Sequence, residues 1–178
     1  ALHLGGNPLG AAGAAIARGL ATLERLQHLG LGGCELDDGT ASAISGPLRT
    51  LALARNRLTA AGVEVLLATD QLVSLSVFGN ASVGASLTAM PTASLSAALR
   101  GATSLRHLDV GGCQLESSKL CEVLAEDAAA APSLGVLELG ANPFSASGAI
   151  AAIHALREAR PALDVVWKPP KPEDEPST

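Results

Sequence analysis

Two acidic residues have the placement in this sequence that best suits acid–base chemistry. Asp109 and Glu138 are each flanked by two aliphatic residues, and each stands at the same point of a recurring phrase. Paired carboxylates can act as general acid and general base when a fold holds them side by side. They are far apart in the sequence, so this chemistry depends on the elements that position them.

Those elements form a repeat. The phrase is Leu, two residues, Leu, one residue, Leu or Val, two residues, then Asn or Cys. Complete copies end at Cys34, Asn56, Asn80, Cys113 and Asn142, a truncated copy ends at Asn7, and a decayed copy spans Leu163 and Val166. The alternating aliphatic residues predict short strands with one buried face. Asp109 and Glu138 then occupy equivalent positions on adjacent strands.

The segments between the phrases show helical spacing of apolar residues. We predict helices in Gly10–Leu20, Thr59–Leu67, Ser117–Leu124 and Ser145–Leu156. In the first of these, Ala12, Ile16 and Leu20 share one face. The segment after Leu36 has room for about one turn of helix, and Pro91 should end or kink any helix between Ser82 and Leu99.

The phrase resembles that of leucine-rich-repeat proteins, LxxLxLxx(N/C)xL, over nearly the whole chain. The steps between successive Asn or Cys positions are 27, 22, 24, 33 and 29 residues. Steps of about 28 or 29 residues with helices between strands are typical of the ribonuclease-inhibitor-like subclass. The resemblance implies an α/β fold, a leucine-rich-repeat solenoid with a curved parallel β-sheet on the concave face and α-helices on the convex face.

The Asn and Cys positions are predicted to form a buried structural ladder at the turns, where backbone groups need hydrogen-bond partners. Its members are Asn7, Cys34, Asn56, Asn80, Cys113 and Asn142. Cys34 and Cys113 lie three repeats apart, about 14 Å at the usual strand spacing, which is beyond disulfide reach. Free thiols favour a reducing compartment, and hence an intracellular, cytoplasmic location.

We expect a partner to bind the C-terminal half of the concave face. The stripe between the two inner aliphatic positions reads His3, Gly30, Ala52, Ser76, Asp109, Glu138 and Trp167. The later part of the stripe carries charge and an aromatic ring, and binding hot spots favour Trp, Tyr and Arg. The predicted partner-binding residues are Phe78, His107, Asp109, Glu138 and Trp167. Asp109 and Glu138 would form an acidic patch that receives Arg or Lys, or else a plain solvated face. Trp167 could instead cap the terminal edge of the sheet.

Other motifs have plainer interpretations. His28 and His107 are three repeats apart and cannot share a metal ion, so we predict no metal and no cofactor. No Ser-His-Asp or Cys-His arrangement is expected from neighbouring repeats. The pairs Gly32-Gly33 and Gly111-Gly112 precede Cys residues and predict tight turns rather than a phosphate-binding loop. The sequon Asn80-Ala81-Ser82 places its asparagine at a buried ladder position.

The amino-acid composition agrees with a core made of many small, similar layers, one for each repeat, and not of one large centre. The chain is 48% hydrophobic but only 2% aromatic, so its core must be built from Leu, Val, Ile and Ala. The net charge of −5 and the scattered basic residues argue against nucleic-acid binding. No apolar stretch is long enough for a membrane span.

The sequence therefore predicts a protein-interaction module or scaffold that is not an enzyme. We predict a solenoid over residues 1–168 and a disordered, Pro-rich acidic tail over 169–178. Two alternatives stay open. One is a regulator similar to the Ran GTPase-activating protein, which shares the repeat class and an acidic C-terminal region faintly echoed in Pro172–Thr178. The other is a fixed architectural subunit of a large complex.

Overall fold

The computed structural model describes residues 1–69, 71–144 and 147–167, in which short strands alternate with helices. The strands are β1 (Leu2–His3), β2 (His28–Gly30), β3 (Thr50–Ala52), β4 (Ser74–Ser76), β5 (His107–Asp109), β6 (Val136–Glu138) and β7 (Asp164–Val166). A 3₁₀ turn, Gly10–Ala12, precedes the helices α1 (Gly13–Leu20), α2 (Asp38–Ala43), α3 (Ala60–Leu67), α4 (Ser82–Ala89), α5 (Thr92–Gly101), α6 (Lys119–Glu126) and α7 (Ser147–Ala159).

The strands form one parallel sheet in which each strand pairs with the next along the chain. The central residue of each strand from β2 to β6 is a leucine, and these leucines are aligned and buried: Leu29, Leu51, Leu75, Leu108 and Leu137. Successive strands bury the same face because the side-chain period is two. The predicted α/β leucine-rich-repeat solenoid is confirmed, and we call the sheet face opposite the helices the concave face.

The helices between strands vary in length as the repeat steps require. α2 is a short helix, and Asp37 begins it by accepting a hydrogen bond from the Thr40 N–H. The longest step holds two helices, α4 and α5, which separate at Pro91 as predicted. Lys119 covers the end of α4 by donating from Nζ to the carbonyl oxygens of Thr88 and Met90, which lack helical partners at that end.

The buried face of the first helix differs from the predicted one. Gly13 and Ala17 are buried, Ile16 and Leu20 are half-buried, and Ala12 is exposed. The 3₁₀ turn delays the start of α1 and so rotates its face. Gly13 also brings α1 close to the next repeat, because a Cβ atom at this position would lie 2.5 Å from Leu36 Cδ2. The predicted faces of α3 and α6 are correct, and their Val63, Leu66, Leu67, Leu120, Val123 and Leu124 side chains are buried.

Asparagine side chains join consecutive repeats at the turns. Asn56 Oδ1 accepts hydrogen bonds from the N–H groups of Cys34 and Leu36 at 3.0 Å. Its Nδ2 donates to the carbonyl oxygens of Leu31 and Leu53 at 2.9 Å. Each such side chain therefore satisfies backbone groups of two repeats at once, as the predicted ladder requires. Asn80 and Asn142 each make three of these four bonds, with Oδ1 accepting from one N–H group and Nδ2 donating to two carbonyl oxygens.

The two cysteine turns satisfy the same groups by another route. The Cys34 thiol donates to Leu4 O at 3.2 Å, as an asparagine amide would. The role of the asparagine oxygen passes to the backbone carbonyl of Cys34, which accepts from the N–H groups of Leu9 and Gly10. A left-handed conformation at the following residue, Glu35 with φ 58°, turns this carbonyl toward the preceding repeat. Gln114, after Cys113, has the same conformation, and the Cys113 carbonyl accepts from a preceding-repeat N–H.

All three cysteines are free and buried. Burial raises the pKa of the Cys113 thiol to about 11 and that of Cys121 to about 12, since a thiolate is poorly solvated there. Both side chains are therefore protonated at neutral pH and act as small apolar residues of the core.

The ladder is incomplete at its first member. Asn7 is exposed, and among the described residues its side chain donates only to Leu4 O. The residue before each Asn or Cys is left-handed in every described turn, whether it is glycine, as at Gly33 and Gly112, or Arg55 or Ala141. The glycine pairs thus serve the tight turn that the sequence predicted.

The register of the last strand corrects one sequence-based placement. Val166 pairs with Glu138 and takes the concave position, while Trp167 is 8% exposed and packs edge-to-face on Phe144 at a centroid distance of 6.4 Å. The predicted placement of Trp167 on the concave face is wrong. One fewer residue separates Leu163 from the buried centre of β7 than in the other repeats, and a shift of one residue moves a side chain to the opposite face.

The end of the predicted solenoid and the tail lie partly outside the described residues. Lys168, the last residue of the predicted solenoid, and the predicted tail at 169–178 are both outside the described ranges. The described chain ends with Trp167 in the core.

We expect Asn80→Ala to lower the free energy of unfolding by about 3 kcal/mol, because it leaves buried backbone groups of two repeats without partners. Asn7→Ala is the matched control at the exposed end of the ladder, and it should change stability by less than about 0.5 kcal/mol. Urea denaturation of both variants measures the difference. Equal losses in the two variants would contradict a structural role for the buried side chain.

Trp167→Ala should destabilise the chain by about 3 kcal/mol, since it opens a cavity beside Phe144. Val166→Ala, at the adjacent exposed position, should cost less than about 0.5 kcal/mol. Thermal or urea denaturation distinguishes the two. If Val166→Ala were the more damaging change, the register described for β7 would be incorrect.

Candidate functional site

The concave face presents two stripes of side chains, one from each outward position of the strands. One stripe reads His3, Gly30, Ala52, Ser76, Asp109, Glu138 and Val166, and the other reads His28, Thr50, Ser74, His107, Val136 and Asp164. The side chains of β1–β3 in the first stripe are mostly small. The polar groups that bond to one another lie on β4, β5 and β6.

Asp109 is held in place from two sides. Its Oδ2 accepts a hydrogen bond of 2.7 Å from Ser76 Oγ on the adjacent strand. Its Oδ1 accepts one of 2.9 Å from the Gly111 N–H. Each carboxylate oxygen can accept a second hydrogen bond, so Asp109 is fixed in orientation and still able to receive another donor.

A line of hydrogen bonds crosses the three strands beside Asp109. Ser74 Oγ lies 3.0 Å from His107 Nδ1, and His107 Nε2 lies 2.7 Å from Glu138 Oε1. Ser74 and His107 are register partners on β4 and β5, whereas Glu138 is reached diagonally across β6. The Glu138 carboxylate therefore fixes the orientation of the His107 imidazole, and the other nitrogen of that ring faces the Ser74 hydroxyl.

The sequence analysis predicted no Ser-His-Asp arrangement among neighbouring repeats, and it did not anticipate this line of the same kind that ends in Glu138. Strand register places Val136, not Glu138, directly opposite His107, but long side chains also reach the diagonal neighbour on the next strand. Ser74 and His107 do stand at equivalent positions of successive repeats in the sequence. Glu138 lies two residues after Val136, the residue opposite His107, and this spacing was the sequence feature that could have revealed the third member of the line.

Asp109 and Glu138 are register partners, as the sequence predicted. They do not form an acid–base dyad, because each carboxylate has its own partner: Ser76 for Asp109 and His107 for Glu138. Within the described residues, neither carboxylate has an Arg or Lys at salt-bridge distance, and Glu138 contacts the imidazole of His107. The two carboxylates therefore form an acidic patch that no described Arg or Lys neutralises.

Phe78 borders this patch on the side where the strands end. Its half-buried ring lies against Gly111 and Gly112. A Cβ atom at Gly111 would lie 2.9 Å from Phe78 Cδ2 and 3.1 Å from Asp109 Oδ1, so the ring and the carboxylate approach the same bare backbone. The structure thus brings together Phe78, His107, Asp109 and Glu138, and it separates Trp167 from them.

Other candidate motifs stay apart from this cluster. His3 and His28 are exposed on β1 and β2. In the described part of the chain, no group of three or more His, Cys, Asp or Glu side chains is arranged to hold a metal ion. Asn80 of the sequon has no exposed surface, and its side chain is fully engaged in the ladder. No described helix is long and apolar enough to cross a membrane.

Two segments of the chain match a known family of repeat proteins. The Leucine Rich repeat family model matches residues 47–67 and 101–118. The first match covers the phrase around β3 and the helix α3, and the second covers β5 and its turn. No curated protein matches the sequence at a significant level. Together with the parallel sheet and its asparagine turns, the matched repeats support a leucine-rich-repeat protein.

Proposed function

We propose that this chain is a protein-binding module whose binding surface is the concave face of β4, β5 and β6. The observation that carries the proposal is the polar array there. Ser76 and Gly111 hold Asp109, and His107 holds Glu138, beside the ring of Phe78. Leucine-rich-repeat domains commonly bind proteins, which gives the surface its expected kind of partner.

Preorganisation supports this choice of surface. A flexible acidic side chain loses conformational freedom when a partner binds it, which weakens binding. Asp109 and Glu138 have already lost much of that freedom to hydrogen bonds within the protein. A ligand group that arrives at these carboxylates therefore meets acceptors whose positions are fixed.

The chemistry of the array favours a partner segment that presents arginine or lysine. Two carboxylates lie on adjacent strands, and the half-buried ring of Phe78 approaches the same Gly111 backbone as the Asp109 carboxylate. A guanidinium or ammonium group can bind the carboxylates and also rest on an aromatic face. The net charge of −5 favours association with a basic partner surface over a nucleic acid.

We propose binding rather than catalysis as the work of the module. The alternative of a regulator similar to the Ran GTPase-activating protein depends on the acidic tail, which lies outside the described residues, and no described feature favours it. A fixed architectural subunit would use the helices or the ends of the solenoid, which the experiment below distinguishes.

The proposal extends to the repeat subclass and to the cellular compartment. Helices between all successive strands, and repeat steps of 27 and 29 residues, support the ribonuclease-inhibitor-like subclass. Three buried, unpaired cysteines support a reducing compartment such as the cytoplasm.

We expect a double variant, Asp109→Lys with Glu138→Lys, to capture at least about tenfold less partner from source-cell extract, because it places like charges opposite a basic segment. Glu126→Lys with Glu158→Lys is the matched control. It makes the same change in net charge on exposed residues of α6 and α7. Circular dichroism first establishes that both baits are folded, and quantitative mass spectrometry then compares the captured proteins.

A partner that is lost from the concave variant and kept by the control supports the proposed surface. Loss from both variants would mean that net charge alone governs capture. A partner kept by the concave variant and lost from the control would place recognition on the helices, as an architectural subunit would have it.

A further inference from the structure

Ser74 has a chemical environment that the binding proposal does not use. Its hydroxyl is half-buried on the concave face and lies 3.0 Å from His107 Nδ1. The other imidazole nitrogen lies 2.7 Å from a Glu138 carboxylate oxygen. With Nε2 protonated toward the carboxylate, Nδ1 presents its lone pair to the serine hydroxyl. We propose that Ser74 is an acyl-acceptor site, at which an activated ester transfers its acyl group to the hydroxyl.

The transfer step follows from these contacts. Ser74 Oγ attacks the carbonyl carbon of the ester, and His107 Nδ1 takes the hydroxyl proton as the new C–O bond forms. The Glu138 carboxylate stabilises the imidazolium, as the carboxylate does in a serine nucleophile triad. The bond to the leaving alcohol then breaks, and the proton on Nδ1 passes to the departing oxygen. The products are an O-acyl serine and a free alcohol, and no oxidant or metal takes part.

Ser76 shows why the environment matters more than the residue type. It lies on the same strand and the same face as Ser74 and is also half-buried. Its hydroxyl, however, donates to the Asp109 carboxylate at 2.7 Å. A carboxylate is a weaker base than a neutral imidazole. Of the two serines, Ser74 is therefore the one whose neighbour is suited to removing its proton. The protein therefore contains its own comparison for the reactivity of Ser74.

The reaction should stop after one acyl group per chain. An activated ester has a good leaving group and can acylate the hydroxyl without fixed oxyanion donors, whereas hydrolysis of the unactivated alkyl ester that forms on serine needs them. The Ser74 N–H is bonded to Arg49 O, and the His107 N–H is bonded to Val73 O, so neither of these amides faces the hydroxyl as a free donor. Ser74 is thus a modification site on the face proposed for binding. The inference does not rest on the binding proposal, because acylation needs no partner protein.

The test uses p-nitrophenyl acetate with the full chain at neutral pH. Intact-mass and peptide mass spectrometry follow acetylation at each residue over time. We expect Ser74 to be acetylated at least about tenfold faster than Ser76, given the usual contribution of a general base. His107→Gln should abolish this difference, and Glu138→Gln should reduce it. His28 lies on β2, in the same stripe as Ser74 and His107, and His28→Gln should leave Ser74 acetylation unchanged.

Three outcomes would overturn the inference: acetylation of Ser74 no faster than that of Ser76, a stable acetyl group on His107 instead, or equal acetylation of Ser74 after His107→Gln. The comparison of the two serines in the unaltered protein stands even if a variant fails to fold. Continued release of p-nitrophenol beyond one equivalent from Ser74 would contradict the one-acyl limit.

Discussion

The structure depends on the hydrogen bonds that close each turn at the end of a strand. There the backbone leaves the sheet and turns inward, and its N–H and C=O groups would be buried without partners. An asparagine side chain supplies these partners. Its amide oxygen accepts from an N–H group of the preceding repeat, and its amide nitrogen donates to carbonyl oxygens of the preceding repeat and of its own repeat. The cysteine turns reach the same result with a thiol donor and a rotated backbone carbonyl. In both cases the bond joins neighbouring repeats, so the turn fixes the stack and not only its own loop.

The arrangement of the concave face follows from that fixed stack. Each strand is only a few residues long, and its outward side chains point to solvent with little packing of their own. Their relative positions are set by the register of the buried leucines beneath them. Because that register is regular from β4 to β6, polar side chains from three repeats meet closely enough to bond. The result is an acidic patch and a serine–histidine–glutamate line from residues that are far apart in the sequence.

Much of this could be predicted from the sequence because the repeat carries its own register. The phrase located the strands, the ladder positions and the adjacency of Asp109 and Glu138. Prediction failed where a residue was missing or a contact was diagonal. The shortened approach to β7 reversed the faces of Val166 and Trp167, and the lone 3₁₀ turn before α1 rotated its buried face. The bond from His107 to Glu138 depends on side-chain reach, which spacing alone does not encode.

Amide hydrogen exchange tests the role of the turn hydrogen bonds most directly. The N–H groups of Leu36, Leu58 and Leu115 lie in loops, yet each donates to an asparagine side chain of the next repeat. If these bonds join the repeats, the loop amides exchange as slowly as the strand-exit amides of Leu31 and Leu53, which open only when repeats separate. Exchange of the loop amides at the rate of exposed loops, with the strand amides still protected, would contradict this role of the asparagine bonds.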